Sequence, residues 1–227
     1  MTRLPEKIAA IVFDLDGTLL DTEALHRDSM LQASERLGWP LSESVFLRMV
    51  GLHRDENRRM LLAEYGPGFP LDPFYADSDA LFEAAIETGV PLRPGAIAIL
   101  DHLERSAIPM AVATSTLSPF AEQRLERAGI LHRLKTVVTR SHVTHAKPHP
   151  ESYLLAAERL GVDPRACVAV EDSQTGATAA LAAGMATVMI PDLLPAPAEL
   201  MDACAAILPG LEDLRRLLEK SGAGGHV

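Results

Sequence analysis

The sequence predicts an α/β protein, a doubly wound parallel sheet with an inserted α-helical domain. Three observations predict it. Short apolar runs alternate with helical patterns, as strand-helix-strand units require. Glycine closes several of the helical patterns, at Gly129, Gly161 and Gly184, where a C-cap belongs. One long interval, residues 22–92, breaks the rhythm with helical patterns and no good strand.

The strand candidates are IAAIVFDLD, IPMAVATST, LKTVVTR, RACVAVEDS, MATVMIP and a weaker ACAAILPG. Their near-continuous Ile, Val and Ala content fits strands buried on both faces. PGAIAILDHLERSA precedes the second run and SPFAEQRLERAGI follows it. ESYLLAAERLG leads into the fourth, and GATAALAAGM into the fifth. Within the interval, ALHRDSMLQASERLG, HRDENRRMLLAEYG and FYADSDALFEAAIETG read as helices. The expected division is a core of residues 1–21 and 93–227 and a helical cap of residues 22–92. An insertion after the first strand is expected at the carboxyl edge of the sheet, where α/β folds bind ligands, and is expected to act as a lid. The tail SGAGGHV is expected to be disordered.

Composition sets limits. The formal charge of -10 argues against a nucleic-acid groove or an anionic membrane surface as the main partner. Two cysteines, Cys167 and Cys204, make neither a disulfide framework nor a metal-ligand set. No apolar run approaches spanning length, and the N-terminus lacks a signal peptide's apolar segment. A cytoplasmic protein is expected.

Polar residues follow four of the runs: Asp14 and Asp16; Thr114, Ser115 and Thr116; Lys147 among His145 and His149; and Glu171, Asp172 and Ser173. In a parallel sheet these ends share one edge. Each has an ordinary explanation when taken singly. Asp16-Gly17 makes an everyday turn, Thr114-Ser115 a helix cap, Lys147-Pro148 a surface turn, and Glu171-Asp172 a strand-end cap. Four in order, each after a buried strand, point instead to a shared site. Clustered carboxylates repel unless a cation offsets them, and oxygen donors suit Mg²⁺. An EF-hand is excluded because Gly17 stands at position four from Asp14, not six. Lys147 and the hydroxyls have work to do only if an anion also binds. His142, His145 and His149 lack the regular spacing of a zinc site and read as loop residues around Lys147.

In these residues and their order, the chain resembles the haloacid dehalogenase superfamily of phosphohydrolases. FDLDGT resembles its first motif, ATST its second, the lysine of AKPHP its third and VEDSQTGATAALAAGM its fourth. DTEALH and GLHRDE resemble the β-phosphoglucomutase-like subgroup with a small helical cap. The resemblance implies a Rossmann-like core and a phosphatase acting on a small phosphorylated metabolite, a sugar phosphate above all. It implies Asp14 as nucleophile, Asp16 as general acid and base, and Thr114, Ser115 and Lys147 as the phosphate-binding set. Mg²⁺ would be held by Asp14, Asp16 through its backbone carbonyl, Asp172 and Glu171, the last directly or from behind. His26 and Arg54 are the cap residues it offers to the substrate. Asp16 also decides against carbon-halogen chemistry, because the family's dehalogenases lack an acid there. A monomer is expected.

Two other readings stand beside this one. A β-phosphoglucomutase-like mutase needs cationic donors for a second phosphate, and residues 60–92 contain no Lys or Arg. A non-catalytic binding protein on the same fold is disfavoured by the presence of Asp14 and Lys147.

Overall fold

The computed structural model describes residues 4–50, 52 and 54–220. The chain divides into two compact units, Met1–Asp21 with Pro91–Val227, and Thr22–Val90. Pro91 and Leu92 go with the first unit for a local reason. Asp21 N–H donates to the Pro91 carbonyl at 2.8 Å, Arg93 N–H to the Leu19 carbonyl at 2.9 Å, and Leu20 forms an antiparallel bridge with Leu92.

The first unit holds one six-stranded sheet. Its strands are β1 (Ala10–Phe13), β2 (Met110–Ala113), β3 (Thr136–Val138), β4 (Cys167–Glu171), β5 (Ala186–Met189) and β6 (Ala206–Ile207). All neighbours are parallel, in the order β3-β2-β1-β4-β5-β6. This is the doubly wound order whose strand sequence reverses between the first and fourth strands, where such sheets bind ligands. Phe13 registers with Val112 on one side and Val170 on the other. One step further on, Asp14 is level with Ala113 and Glu171, and Thr114 stands one residue beyond them at the end of β2.

The second unit contributes α1 (Thr22–Arg36), α2 (Glu43–Met49), α3 (Arg54–Tyr65) and α4 (Leu71–Thr88). Ser34 Oγ accepts the Leu41 N–H at 2.9 Å and donates to the Leu31 carbonyl, closing the turn after α1. Asn57 Nδ2 donates to the Met49 carbonyl at 3.1 Å and ties α3 to the end of α2. Phe69 meets Trp39 edge-on at 5.8 Å and Phe74 at 5.3 Å. Such tilted pairs contribute beyond area burial and give this small unit its own core.

The remaining helices are α5 (Ala96–Arg105), α6 (Phe120–Arg127), α7 (Glu151–Leu160), α8 (Gln174–Ala182), α9 (Ala198–Met201) and α10 (Leu211–Lys220). Ala10, Val12, Ala111, Ala113 and Ala169 on one sheet face pack with Ala156 and Ala157 of α7 and with Ala179 and Ala180 of α8. Small residues on both sides let helices and sheet approach closely. Cys167 is buried in the same cluster.

All six sequence-expected strands are present. The sequence reading passed over α2, α9 and α10. The last buries Leu211, Leu214 and Leu218, a clear one-sided helical spacing. The SGAGGHV tail and His53 lie outside the described residues.

Candidate active site

The cluster at the carboxyl edge is built from three strand ends and one loop. Asp14 extends β1, and its N–H still donates to the Val170 carbonyl at 2.9 Å. Thr114 extends β2 in the same way, donating to Val138 at 2.9 Å. Glu171 closes β4. Backbone ladder bonds thus fix where these side chains start.

Lys147 arrives from the loop before α7. Its Nζ donates to Asp14 Oδ1 at 2.6 Å and to Glu171 Oε1 at 2.5 Å. All three groups are nearly dry: the side chains are 5% exposed for Lys147, 10% for Asp14 and 0% for Glu171. Tyr153 OH of α7 also donates to Glu171 Oε1, at 2.6 Å, while the Lys147 ammonium lies 4.9 Å from the Tyr153 ring centroid. Ser173 caps α8 and turns its N–H and Oγ to Glu171 Oε2, at 3.3 and 3.0 Å. Both oxygens of Glu171 are therefore engaged, and the residue serves as the rigid seat of Lys147.

Two glycines are required by these carboxylates. Gly17 has φ +83°, and a Cβ there would fall 2.4 Å from Asp172 Oδ2. A Cβ on Gly176 would fall 1.8 Å from Glu171 Oε1. Real Cβ atoms do not approach so closely, so both positions admit only glycine without rearrangement.

Asp16 faces elsewhere. Its Oδ2 accepts from Thr116 Oγ1 at 2.6 Å and its Oδ1 pairs with Arg124 Nη1 of α6 at 2.9 Å. Arg124 also reaches Thr116 Oγ1 at 3.4 Å. Thr114 is buried, and its hydroxyl accepts the Thr116 N–H at 3.0 Å. Ser115 is exposed at the head of this turn. Asp172 Oδ1 accepts from Thr18 Oγ1 at 3.3 Å.

Burial raises the Asp14 carboxyl to about 8; Lys147 pulls it down, while Glu171 and Asp16 add to the rise. For Lys147, burial works against the charged form. The carboxylates of Asp14 and Glu171 overcome it and lift the ammonium above its ordinary range. Burial, then Glu171, keeps Tyr153 a neutral phenol. Asp14, Glu171 and Asp172 each offer an oxygen within 4.8 Å of the others'. Three carboxylates against one ammonium leave two negative charges when all are ionised. An all-oxygen donor set with that surplus fits a hard dication such as Mg²⁺.

The helical unit holds the other two sequence candidates. Arg54 Nη2 pairs with both oxygens of Asp79, at 2.7 and 2.8 Å, and its guanidinium stacks 4.4 Å from the Tyr75 ring centroid. The His26 ring packs 5.3 Å from that of Phe82.

Sequence reasoning did not find Arg124 or Tyr153. Arg124 sits in a helix rich in both charges, FAEQRLER, where nothing marks one arginine as facing inward. Tyr153 follows Lys147 by six residues and is fully buried, which its one-letter context conceals.

A family model for haloacid dehalogenase-like hydrolases matches residues 8–184. The chain is 35% identical over 185 residues to fructose-1-phosphate phosphatase YqaB of Escherichia coli K12, covering 79% of this chain and 95% of that one. It is 37% identical over 183 residues to hexitol phosphatase A of the same organism, covering 76% and 78%. Among solved structures, a protein described as a putative β-phosphoglucomutase from Thermotoga maritima matches with a TM-score of 0.80 and 29% identity. That match covers 94% of this chain and 99% of the other. Among the described residues, no helix is long and apolar enough to cross a membrane.

Proposed function

We propose, for a chain that belongs to the haloacid dehalogenase-like hydrolase family, that it is a magnesium-dependent phosphatase of a small phosphorylated carbohydrate, working through an aspartyl-phosphate on Asp14. The observation that carries this reading is the buried Asp14–Lys147–Glu171 chain at the carboxyl edge of β1 and β4. The similarity to relatives named as fructose-1-phosphate and hexitol phosphatases supplies the substrate class.

A carboxylate oxygen of Asp14 attacks phosphorus and forms the new P–O bond while the P–O bond to the sugar breaks. The electron pair leaves on the sugar oxygen, which takes a proton from Asp16. Water then gives a proton to Asp16 and attacks phosphorus, releasing inorganic phosphate and restoring Asp14. Lys147 stabilises the charge that gathers on the phosphoryl oxygens, and Thr114 with the Ser115 amide orients them. Held by Asp14, Asp172 and the Asp16 backbone carbonyl, with Glu171 behind, Mg²⁺ would supply charge neutralisation between nucleophile and phosphoryl group. Asp16 is held by Thr116 and Arg124. To meet the leaving oxygen it exchanges one of these bonds for the substrate, and the pair positions it between turnovers.

The mutase alternative has one observation in its favour, the T. maritima structure. Against it, Arg54 is already paired with Asp79, so it is poorly placed to clamp a second phosphate. The test is phosphate release from fructose 1-phosphate, hexitol phosphates and hexose 1-phosphates, with Mg²⁺ and with EDTA. Metal-dependent release supports the phosphatase. Hexose phosphate isomerisation under a bisphosphate activator, with little release, overturns it in favour of the mutase.

A further inference from the structure

The segment that delivers Lys147 gathers a second group of metal-ligating side chains. His145, His149 and Glu151 each offer one ligand atom within 4.8 Å of the others'. Glu151 Oε2 lies 2.9 Å from His145 Nδ1 and 3.8 Å from His149 Nδ1. Donors bound tetrahedrally to zinc at about 2.0–2.1 Å stand roughly 3.4 Å apart. The two observed separations bracket that value, and an ion bound at His149 Nδ1 replaces the 3.3 Å bond that this nitrogen now accepts from the Glu151 N–H.

The carboxylate is already aimed. Glu151 Oε1 accepts the Thr144 N–H at 2.8 Å, and Oε2 accepts the His145 N–H at 2.9 Å. Amide donors behind a ligand fix its orientation, as supporting bonds around metal sites do. The two imidazoles lie with ring centroids 4.5 Å apart, and both are about half exposed or more. An ion and its waters can reach them. Two nitrogens and one oxygen favour zinc-class ions over magnesium, which prefers oxygen alone.

We propose that His145, His149 and Glu151 form a binding site for a zinc-class divalent metal, separate from the acidic cluster, with its open positions filled by water. The spacing misleads when only histidines are counted, because the third ligand is a glutamate on the first turn of α7. The ion enters where His145 Nδ1 now meets Glu151 Oε2. Lys147 lies between the two histidine ligands, so occupancy ties down both flanks of the residue that bridges Asp14 and Glu171. The inference does not depend on the identity of the substrate.

The test is calorimetric titration of the full chain with Zn²⁺ in excess Mg²⁺, which keeps the acidic cluster occupied. The parent is expected to bind one zinc equivalent more than the H145A/H149A double variant. Glu151→Gln, which preserves shape, is expected to weaken that same binding at least tenfold, with circular dichroism verifying that each variant is folded. Equal stoichiometry and affinity in the parent and the double variant, or no zinc uptake by the parent, would overturn the proposal.

Discussion

Lys147 Nζ stands 2.6 Å from Asp14 Oδ1 in a site where neither side chain is more than 10% exposed. Glu171 holds the same ammonium from the other side. Replacing Lys147 with Met leaves the fully buried Glu171 carboxylate without its cation. Breaking a buried pair in this way costs about 3–5 kcal/mol. Urea unfolding in EDTA is expected to show a loss of that order. Phosphatase activity is expected to fall at least a hundredfold even when Mg²⁺ restores the fold.

Gly176 tests the seat of that lysine. Gly176→Ala places a methyl group where the Glu171 carboxylate now lies, so Glu171 must move and Lys147 with it. The expected result is a stability loss of about 1–3 kcal/mol, as overpacking gives, together with a fall in kcat. Thr178→Ala, on the exposed side of the same helix, serves as the control. It is expected to leave kcat within about twofold, since surface changes seldom matter.

The Asp14 carboxyl sets a pH dependence. Its folded value is raised from 3.8 to about 8, chiefly by burial. The folded protein therefore holds a proton that the unfolded chain releases. Without metal, that contribution to stability is full below pH 4 and fades as the pH rises toward 8. A cation beside the carboxylate favours its charged form. Mg²⁺ is therefore expected to raise the unfolding midpoint more at pH 8 than at pH 5. Thermal unfolding at the two pH values, with Mg²⁺ and with EDTA, reads this directly, and equal increments would contradict it.

Arg124 is expected to act through Asp16. Arg124→Ala removes the 2.9 Å partner of Asp16 Oδ1. Steady-state kinetics are expected to show kcat reduced about tenfold, roughly 1.4 kcal/mol, with KM nearly unchanged. Arg124→Lys is expected to recover part of the loss. A change confined to KM would assign Arg124 to substrate binding instead.

How much of this was legible in the chain follows from how each residue is presented. Asp14, Thr114 and Glu171 stand directly after apolar runs, and parallel strand order alone puts such positions along one edge. The helical insertion was legible because no apolar run interrupts residues 22–92. Arg124 and Tyr153 belong to helices, where position around the axis depends on packing that sequence spacing does not specify. The short α2 was missed because it rests on a Ser42 cap and on buried Val45, Phe46 and Met49, too brief a pattern to stand out. The double role of Asp16, aligned with Asp14 by spacing yet turned toward Arg124, depends on α6 and could not be read from FDLDGT.

The most direct measurement is acid-quenched turnover followed by mass spectrometry of the peptide containing Asp14, for the parent and for Asp14→Asn. The account expects a phosphoryl group on Asp14 in the parent during turnover. In the variant it expects neither adduct nor phosphate release, with the fold intact. Phosphate release by Asp14→Asn at the parent's rate would contradict it.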